Sequence, residues 1–278
     1  MSARTSSGER GSDRLRNRRR LRRRRILILV GVLFVILIGD GIYELHQPFA
    51  RITQVHIFGA DESLAATALS AMRGTYLGII PRDSTLFYPE DKIREAILKG
   101  NPDIAAVSLF RNGLNGLSIR VDMRVPIARW CGRSPTQGVE EYCYIFDSSG
   151  LIYAVYASST PTLNTFKLYA PLVGEVEEPL QATIAEAHTL PATFDFARQV
   201  GTLGSVVARI RLHDGEVDDI LTNGTRISYV LGEEKAAYTA LVSAQANSNL
   251  VDGSVEYIDL RFGSKVYVKR KGAASNEL

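Results

Sequence analysis

Catalysis needs side chains that converge, and this chain scatters the ones that would do it. Its four histidines are His46, His56, His188 and His213. No two of them stand four residues apart, and none has metal-ligand spacing. The sequence has neither a G-x-S-x-G nucleophile turn nor a phosphate-binding loop. Gly39-Asp40-Gly41 falls inside an apolar run, which is no place for a phosphate. The acidic run 214–219 (DGEVDD) invites a calcium reading, but the twelve-residue loop closed by Glu is missing. It reads as a solvated strand-turn. Asn223-Gly224-Thr225 matches a glycosylation sequon, yet Asn-Gly is already accounted for as a hairpin turn. An acid inside a membrane span often marks a site. Asp40 lies near the outer end of the apolar run, where its carboxylate reaches the headgroups. The expectation is therefore no catalytic residue, no metal, no cofactor and no small-molecule substrate. Cys131 and Cys143 remain, flanking a polar loop between two strands expected to pair. They predict a disulfide, which persists only in an oxidising compartment.

The elements that position these residues begin with a steep charge boundary. Residues 1–25 hold eleven Arg against Glu9 and Asp13, a local charge of +9 in a chain whose total is +3. Subtraction leaves 22 basic and 28 acidic residues after position 25. The uncharged run ILILVGVLFVILIG follows, and the hydrophobic stretch extends to about Tyr43. Over 26–43 a helix reaches roughly 27 Å, close to the hydrocarbon thickness of a bilayer. Positive flanks stay in the cytoplasm, so the chain after Tyr43 is expected on the other side. No small-residue cleavage site follows the run, which argues for an uncleaved anchor over a secretory signal. Beside a span, the Arg tail is expected to meet anionic lipid headgroups rather than nucleic acid.

About 230 residues remain, enough for two domains. Residues 52–124 read as β-α-α-β-β. A strand at 52–58 is broken by Gly59. A helix capped at Asp61 or Ser63 carries Leu64, Ala68, Leu69 and Met72, and a second follows Pro89 with Ile93, Ala96 and Ile97. Strands at 104–111 and 117–123 are joined through Asn112-Gly113. In the latter, Leu117, Ile119, Val121 and Met123 alternate with polar residues. Pro126 marks a boundary. Beyond it, strands are expected at 127–130, 142–146 and 151–156, with Asp147-Ser148-Ser149-Gly150 as a turn. A Pro-rich connection at 161–179 leads to a helix near 193–203. Strands at 206–212, 217–221 and 226–231, a helix at 233–247, and strands at 255–262 and 265–269 complete the chain. Gly263-Ser264 is the last turn.

In this order the motifs resemble the FtsQ/DivIB family of bacterial cell-division proteins. Four features carry the resemblance: the basic tail, single span and βααββ module; Val125-Pro126-Ile127-Ala128-Arg129-Trp130 at the junction; Ile145-Phe146-Asp147-Ser148-Ser149-Gly150-Leu151-Ile152 as a hairpin; and Tyr257-Ile258-Asp259-Leu260-Arg261-Phe262 as a terminal strand. Met123 stands where the family usually has Glu.

The resemblance implies an α+β fold with a single transmembrane helix, a POTRA-like domain at 52–124 and a mixed β-sheet domain at 125–270 with helices on one side. Residues 271–278 form a tail. It also implies a non-enzymatic scaffold at the division septum of the inner membrane, binding FtsB/DivIC-like and FtsL-like membrane proteins. The implied partner-binding residues are Arg261, Phe262, Ser264, Tyr267 and Val268, on an edge strand open to a partner strand. Phe262 shares its expected strand face with Ile258 and Leu260, so a core position competes with that role. The two alternatives are a membrane-anchored cell-wall enzyme and an outer-membrane assembly or secretion factor. The first needs a nucleophile or carboxylate constellation. The second needs a C-terminal barrel of many alternating strands.

Overall fold

The computed structural model describes residues 9–135, 142–245, 249–263 and 265–272, with side chains from residue 21 onward. The chain is a mixed α+β protein that divides into two compact units, one of residues 1–101 and 106–122, the other of 102–105 and 123–278.

The first unit opens with α1 (Glu9–Leu45). Its segment Leu21–Leu45 has a mean hydropathy of 2.6, and none of it is buried by the described residues. A helix apolar all round is stable where apolar surroundings replace water. Twenty-five residues rise by roughly 37 Å, more than the ~30 Å hydrocarbon layer. One helix is thus long and apolar enough to cross a membrane. It extends past both ends of the expected 26–43 because Arg, Glu and Leu are good helix formers.

After a 3₁₀ turn (Pro48–Ala50) come β1 (Gln54–Phe58), α2 (Leu64–Ala71), the short strands β2 (Thr75–Tyr76) and β3 (Ile80–Pro81), α3 (Glu90–Gly100), β4 (Ile104–Asn112) and β5 (Gly116–Met123). The sheet order is β1-β5-β4, with β1 parallel to β5. Leu117, Ile119 and Val121 face a core with Leu64, Ala68, Met72, Ile93 and Ile97, all buried. Met123, expected to continue that stripe, is 46% exposed. The β2–β3 hairpin falls in a stretch for which the sequence predicts no element, since two-residue strands carry no period.

Asp61 caps no helical amide; its Oδ1 accepts from Ser63 N instead. Gly59 is indispensable by geometry. Its φ is +88°, and a Cβ there would sit 2.2 Å from the Val121 carbonyl oxygen. Gly59→Ala is expected to lower the unfolding free energy by about 2 kcal/mol, read from urea denaturation followed by circular dichroism.

The second unit is built on a nine-stranded mixed sheet. Its strands are β6 (Ala128–Trp130), β7 (Tyr144–Phe146), β8 (Ile152–Val155), β9 (Lys167–Tyr169), β10 (Val207–His213), β11 (Glu216–Leu221), β12 (Arg226–Val230), β13 (Val255–Phe262) and β14 (Lys265–Arg270). The order is β14-β13-β12-β11-β10-β9-β6-β7-β8. β9 corrects the sequence reading, which has only a connection at 161–179. It lies between β6 and β10, parallel to both. Three residues flanked by prolines are too few to show an alternation.

Two helices, α4 (Leu190–Gly201) and α5 (Glu234–Ala244), cover one face. α4 begins three residues before its expected start because Pro191 is tolerated in a first turn. α5 ends at Ala244, and residues 246–247 of the expected helix lie outside the described residues. Phe194 packs between Phe146 and Phe166, and Phe196 lies 4.3 Å from the Tyr229 ring, centroid to centroid. Ile210, Leu212, Val217, Leu221 and Ile227 supply the sheet's side of this core.

Near the start of this unit, Arg124 donates to the Asp147 carboxylate and, through Nε, to the Pro102 carbonyl at 2.9 Å. Burial alone would raise the Asp147 carboxyl. Hydrogen bonds from the Ser149 hydroxyl, Arg124 and the Ser149 and Leu151 amides outweigh it and hold the group below the ordinary carboxylate range.

Cys131 and Cys143 are joined as a disulfide beside the buried Tyr169. They cross-link residues at the ends of β6 and β7, with 136–141 of the intervening loop outside the described residues. In the chain-entropy account, closing a loop of this length stabilises the fold by roughly 3 kcal/mol. Reduction is expected to lower the melting temperature accordingly, and mass spectrometry of the non-reduced protein should find no alkylatable thiol.

Candidate partner-binding edge

A sheet of nine strands ends at two rows of backbone groups that a partner chain can pair with. The two ends differ. Beside β8, Ile152 N donates to Ala182 O at 2.9 Å and Gln181 N to Ile152 O at 2.7 Å, and Leu151 bridges to Thr183. The chain's own 181–184 segment therefore covers that end. β14 pairs only with β13, antiparallel, and among the described residues no segment covers its outer side.

The β13–β14 register sets Ile258 against Val268, Asp259 against Tyr267 and Phe262 against Lys265, with an irregularity between Asp259 and Phe262. That slip breaks the alternation on which the core assignment of Phe262 rests. Ile258 and Leu260 are buried, whereas Phe262 is 56% exposed. Phe262 and Tyr267 meet edge to face at 5.3 Å, and Tyr267 is 50% exposed. Val266 and Val268 line a groove of ≈ 940 Å³ against Ala236, Thr239, Ala240 and Ser243 of α5. The edge thus offers an aromatic pair at the hairpin end and a shallow, small-residue trough beside the strand. Ser264 lies outside the described residues.

Arg261, one of the implied partner-binding residues, has its guanidinium engaged within the chain. Nη1 reaches Glu216 at 2.7 Å and Nη2 reaches Asp259 at 2.6 Å. The Asp259 and Glu216 bonds push the arginine's pKa upward, and Arg261 in turn holds the Asp259 carboxyl low. Its role here is to tie β13 across to β11. Glu216 lies 45 positions upstream, so no local sequence signal announces the pair.

The acidic run also needs correction. It is not a solvated turn beyond Glu216, because β11 carries Asp218 and Asp219 into buried positions. Asp218 accepts from Ser228 Oγ at 2.5 Å and pairs with His213 Nε2 at 2.9 Å. Ser228 and His213 thus meet the same carboxylate, and His213 is placed on Asp218 rather than on the serine hydroxyl, unlike the Ser-His contact of a nucleophile and its base. His46 and His56 belong to the first unit, and His188 pairs with Glu186 instead. Asp219 points the other way, with no exposure and no hydrogen-bond partner for either oxygen. Burial, then the charges of Asp218 and Glu234, push its carboxyl well above the ordinary range. The Tyr229 phenol nearby is also pushed up, first by burial. No group of three or more His, Cys, Asp or Glu able to hold a metal occurs among the described residues.

For Asp219 the folded pKa is raised, so its contribution to stability is complete below the unfolded value near 3.9. It declines as the pH climbs toward the folded value. Asp219→Asn removes this dependence. It is expected to melt above the wild type at pH 8 and to lose that advantage toward pH 4. Within the window the gap should grow by up to about 1.4 kcal/mol per pH unit, measured by thermal melts across pH.

Compared with known proteins, the chain matches no protein-family model and no curated protein.

Proposed function

We propose that this chain is a non-enzymatic division scaffold of the FtsQ/DivIB type. In this reading α1 anchors it in the bacterial inner membrane as a single-pass type II protein, with the Arg-rich tail in the cytoplasm. The exported units then link FtsB/DivIC-like and FtsL-like coiled-coil proteins at the septum. The first unit serves as the POTRA-like module. Its β-α-α-β-β order around a β1-β5-β4 sheet supports that assignment, as does the interposed β2–β3 hairpin's small size.

The observation that carries the proposal is the unpaired outer side of β14, flanked by the exposed Phe262–Tyr267 pair. A partner strand added there gains main-chain hydrogen bonds along 266–269. Side chains at alternate positions select the sequence. Exposed aromatics at such an edge are the residue type that dominates interface energetics. Val268 supplies apolar contact from the groove side.

The test is co-purification of the full chain with an FtsB-like partner from detergent extracts. Phe262→Ala and Tyr267→Glu are each expected to abolish partner recovery while circular dichroism and melting stay near wild type. Recovery that persists, or that is lost only with unfolding, removes the edge-strand assignment. Depletion in cells should give filaments, in contrast to the lysis or secretion failure that a wall enzyme or an outer-membrane assembly factor would give.

A further inference from the structure

The first unit leaves large apolar side chains in water at one end. Leu77 is 96% exposed, Ile79 50%, Leu86 59% and Phe87 48%. They belong to the β2–β3 hairpin and the turn after it. The hairpin tip is built in an unusual way. Ile79 N donates to Tyr76 O at 3.0 Å, and the two residues between them, Leu77 and Gly78, have φ of +51° and +73°. Positive φ at both central positions is the pattern of the tight hairpin turn that ordinarily takes Asn-Gly. Here a leucine occupies the asparagine place, holds a left-handed backbone and aims its side chain outward. Neither local conformational preference nor burial rewards that choice.

The position of this end explains it. Residues 83–85 are fastened to the segment that leaves α1: Ile52 N donates to Asp83 O at 2.7 Å, Thr85 N to Ala50 O at 3.0 Å, and Arg51 Nε to Asp83 at 3.0 Å. α1 itself touches β3. Ala50 follows Leu45, the end of the apolar helix, by five residues, a reach of at most roughly 18 Å. Arg82 lies over the Tyr76 ring at 5.3 Å and donates its backbone N–H to the Gly74 carbonyl at 3.0 Å, next in sequence to the exposed Arg73. Apolar tips ringed by Arg and Tyr are the composition of a membrane interface, where the apolar part enters the acyl boundary and the cations meet phosphates.

We propose that the β2–β3 hairpin and the adjoining 86–87 turn rest in the lipid interface where α1 leaves the membrane, with Leu77 and Ile79 inserted. The occupant of this apolar surface is the phospholipid leaflet. The proposal depends on α1 spanning the membrane, and the test separates the two. Both native cysteines are in the disulfide, so a single introduced thiol takes an environment-sensitive fluorophore under non-reducing conditions.

The full chain labelled at Leu77→Cys, Phe34→Cys or Glu62→Cys is reconstituted into vesicles of phosphatidylethanolamine and phosphatidylglycerol with no other protein. The Leu77 probe is expected to shift to the blue and to be quenched by lipid spin-labelled near the headgroup. The Phe34 probe should be quenched by lipid labelled deep in the chain, and the Glu62 probe, beyond the far end of β1, should stay aqueous. Adding Ile79→Asp and Leu86→Asp should abolish quenching at Leu77. If Phe34 is quenched and Leu77 matches Glu62, the hairpin proposal fails and the span stands. If Phe34 is not quenched, the spanning reading fails first. A blue shift at Leu77 without lipid quenching signals burial against protein and overturns the lipid assignment. Quenching that survives both Asp substitutions shows the probe inserting by itself, and overturns it too.

Discussion

The second unit depends on the three residues of β9. Lys167–Tyr169 pair with β10 on one side and β6 on the other, parallel to both. Without them the sheet is two separate pieces: a three-stranded meander of β6, β7 and β8, and a five-stranded sheet running to β14. Each piece would then expose a row of amide and carbonyl groups next to the buried Phe166, Leu168 and Ala170. Unpaired groups there cost more than the hydrogen bonds gain, so the joint is closed or the core does not form. The disulfide lies beside this joint, against Tyr169. It holds β6 and β7 in place where the sheet is narrowest.

Edges account for much of what remains. The chain spends residues 181–184 on covering β8 and leaves β14 open. Such asymmetry is costly for a solitary protein, because an open edge recruits unwanted strands. Lys265, Lys269 and Arg270 stand on β14, Lys269 paired with Glu256 of β13, and basic side chains on an edge discourage pairing with another copy of the same strand. That composition deters self-association without closing the edge to a different chain.

How much of this was legible in the sequence follows from how each feature is encoded. Long alternating or helical patterns were readable: 117–123, 206–212, 226–231 and 255–262 all hold strands within a residue or two of their expected ends. β9 and the β2–β3 hairpin were not, because strands of two or three residues have no period and are defined by their neighbours. At the candidate edge, the aromatic residues were readable by type. The exposure of Phe262 was not, since it depends on a register slip that one strand's sequence does not display. The ion pair of Arg261 with Glu216 was not legible for a related reason: Glu216 is on a strand two places away in the sheet. The burial of Asp219 is the furthest from any local rule, as four acids within six residues ordinarily signal solvent.

The order of strands gives the open edge a temporal meaning. β14 can be displayed only against β13, and β13 is fixed by a parallel pairing with β12 and by the Arg261 tie to β11. A parallel neighbour requires the whole α5 crossover between them to be in place first. The last surface to be completed is therefore the one proposed to take a partner strand. A chain stalled partway through folding, or damaged anywhere from β10 onward, presents no such strand. The edge works as a certificate of complete folding, issued by topology alone, so an incompletely folded copy would be passed over without any separate surveillance.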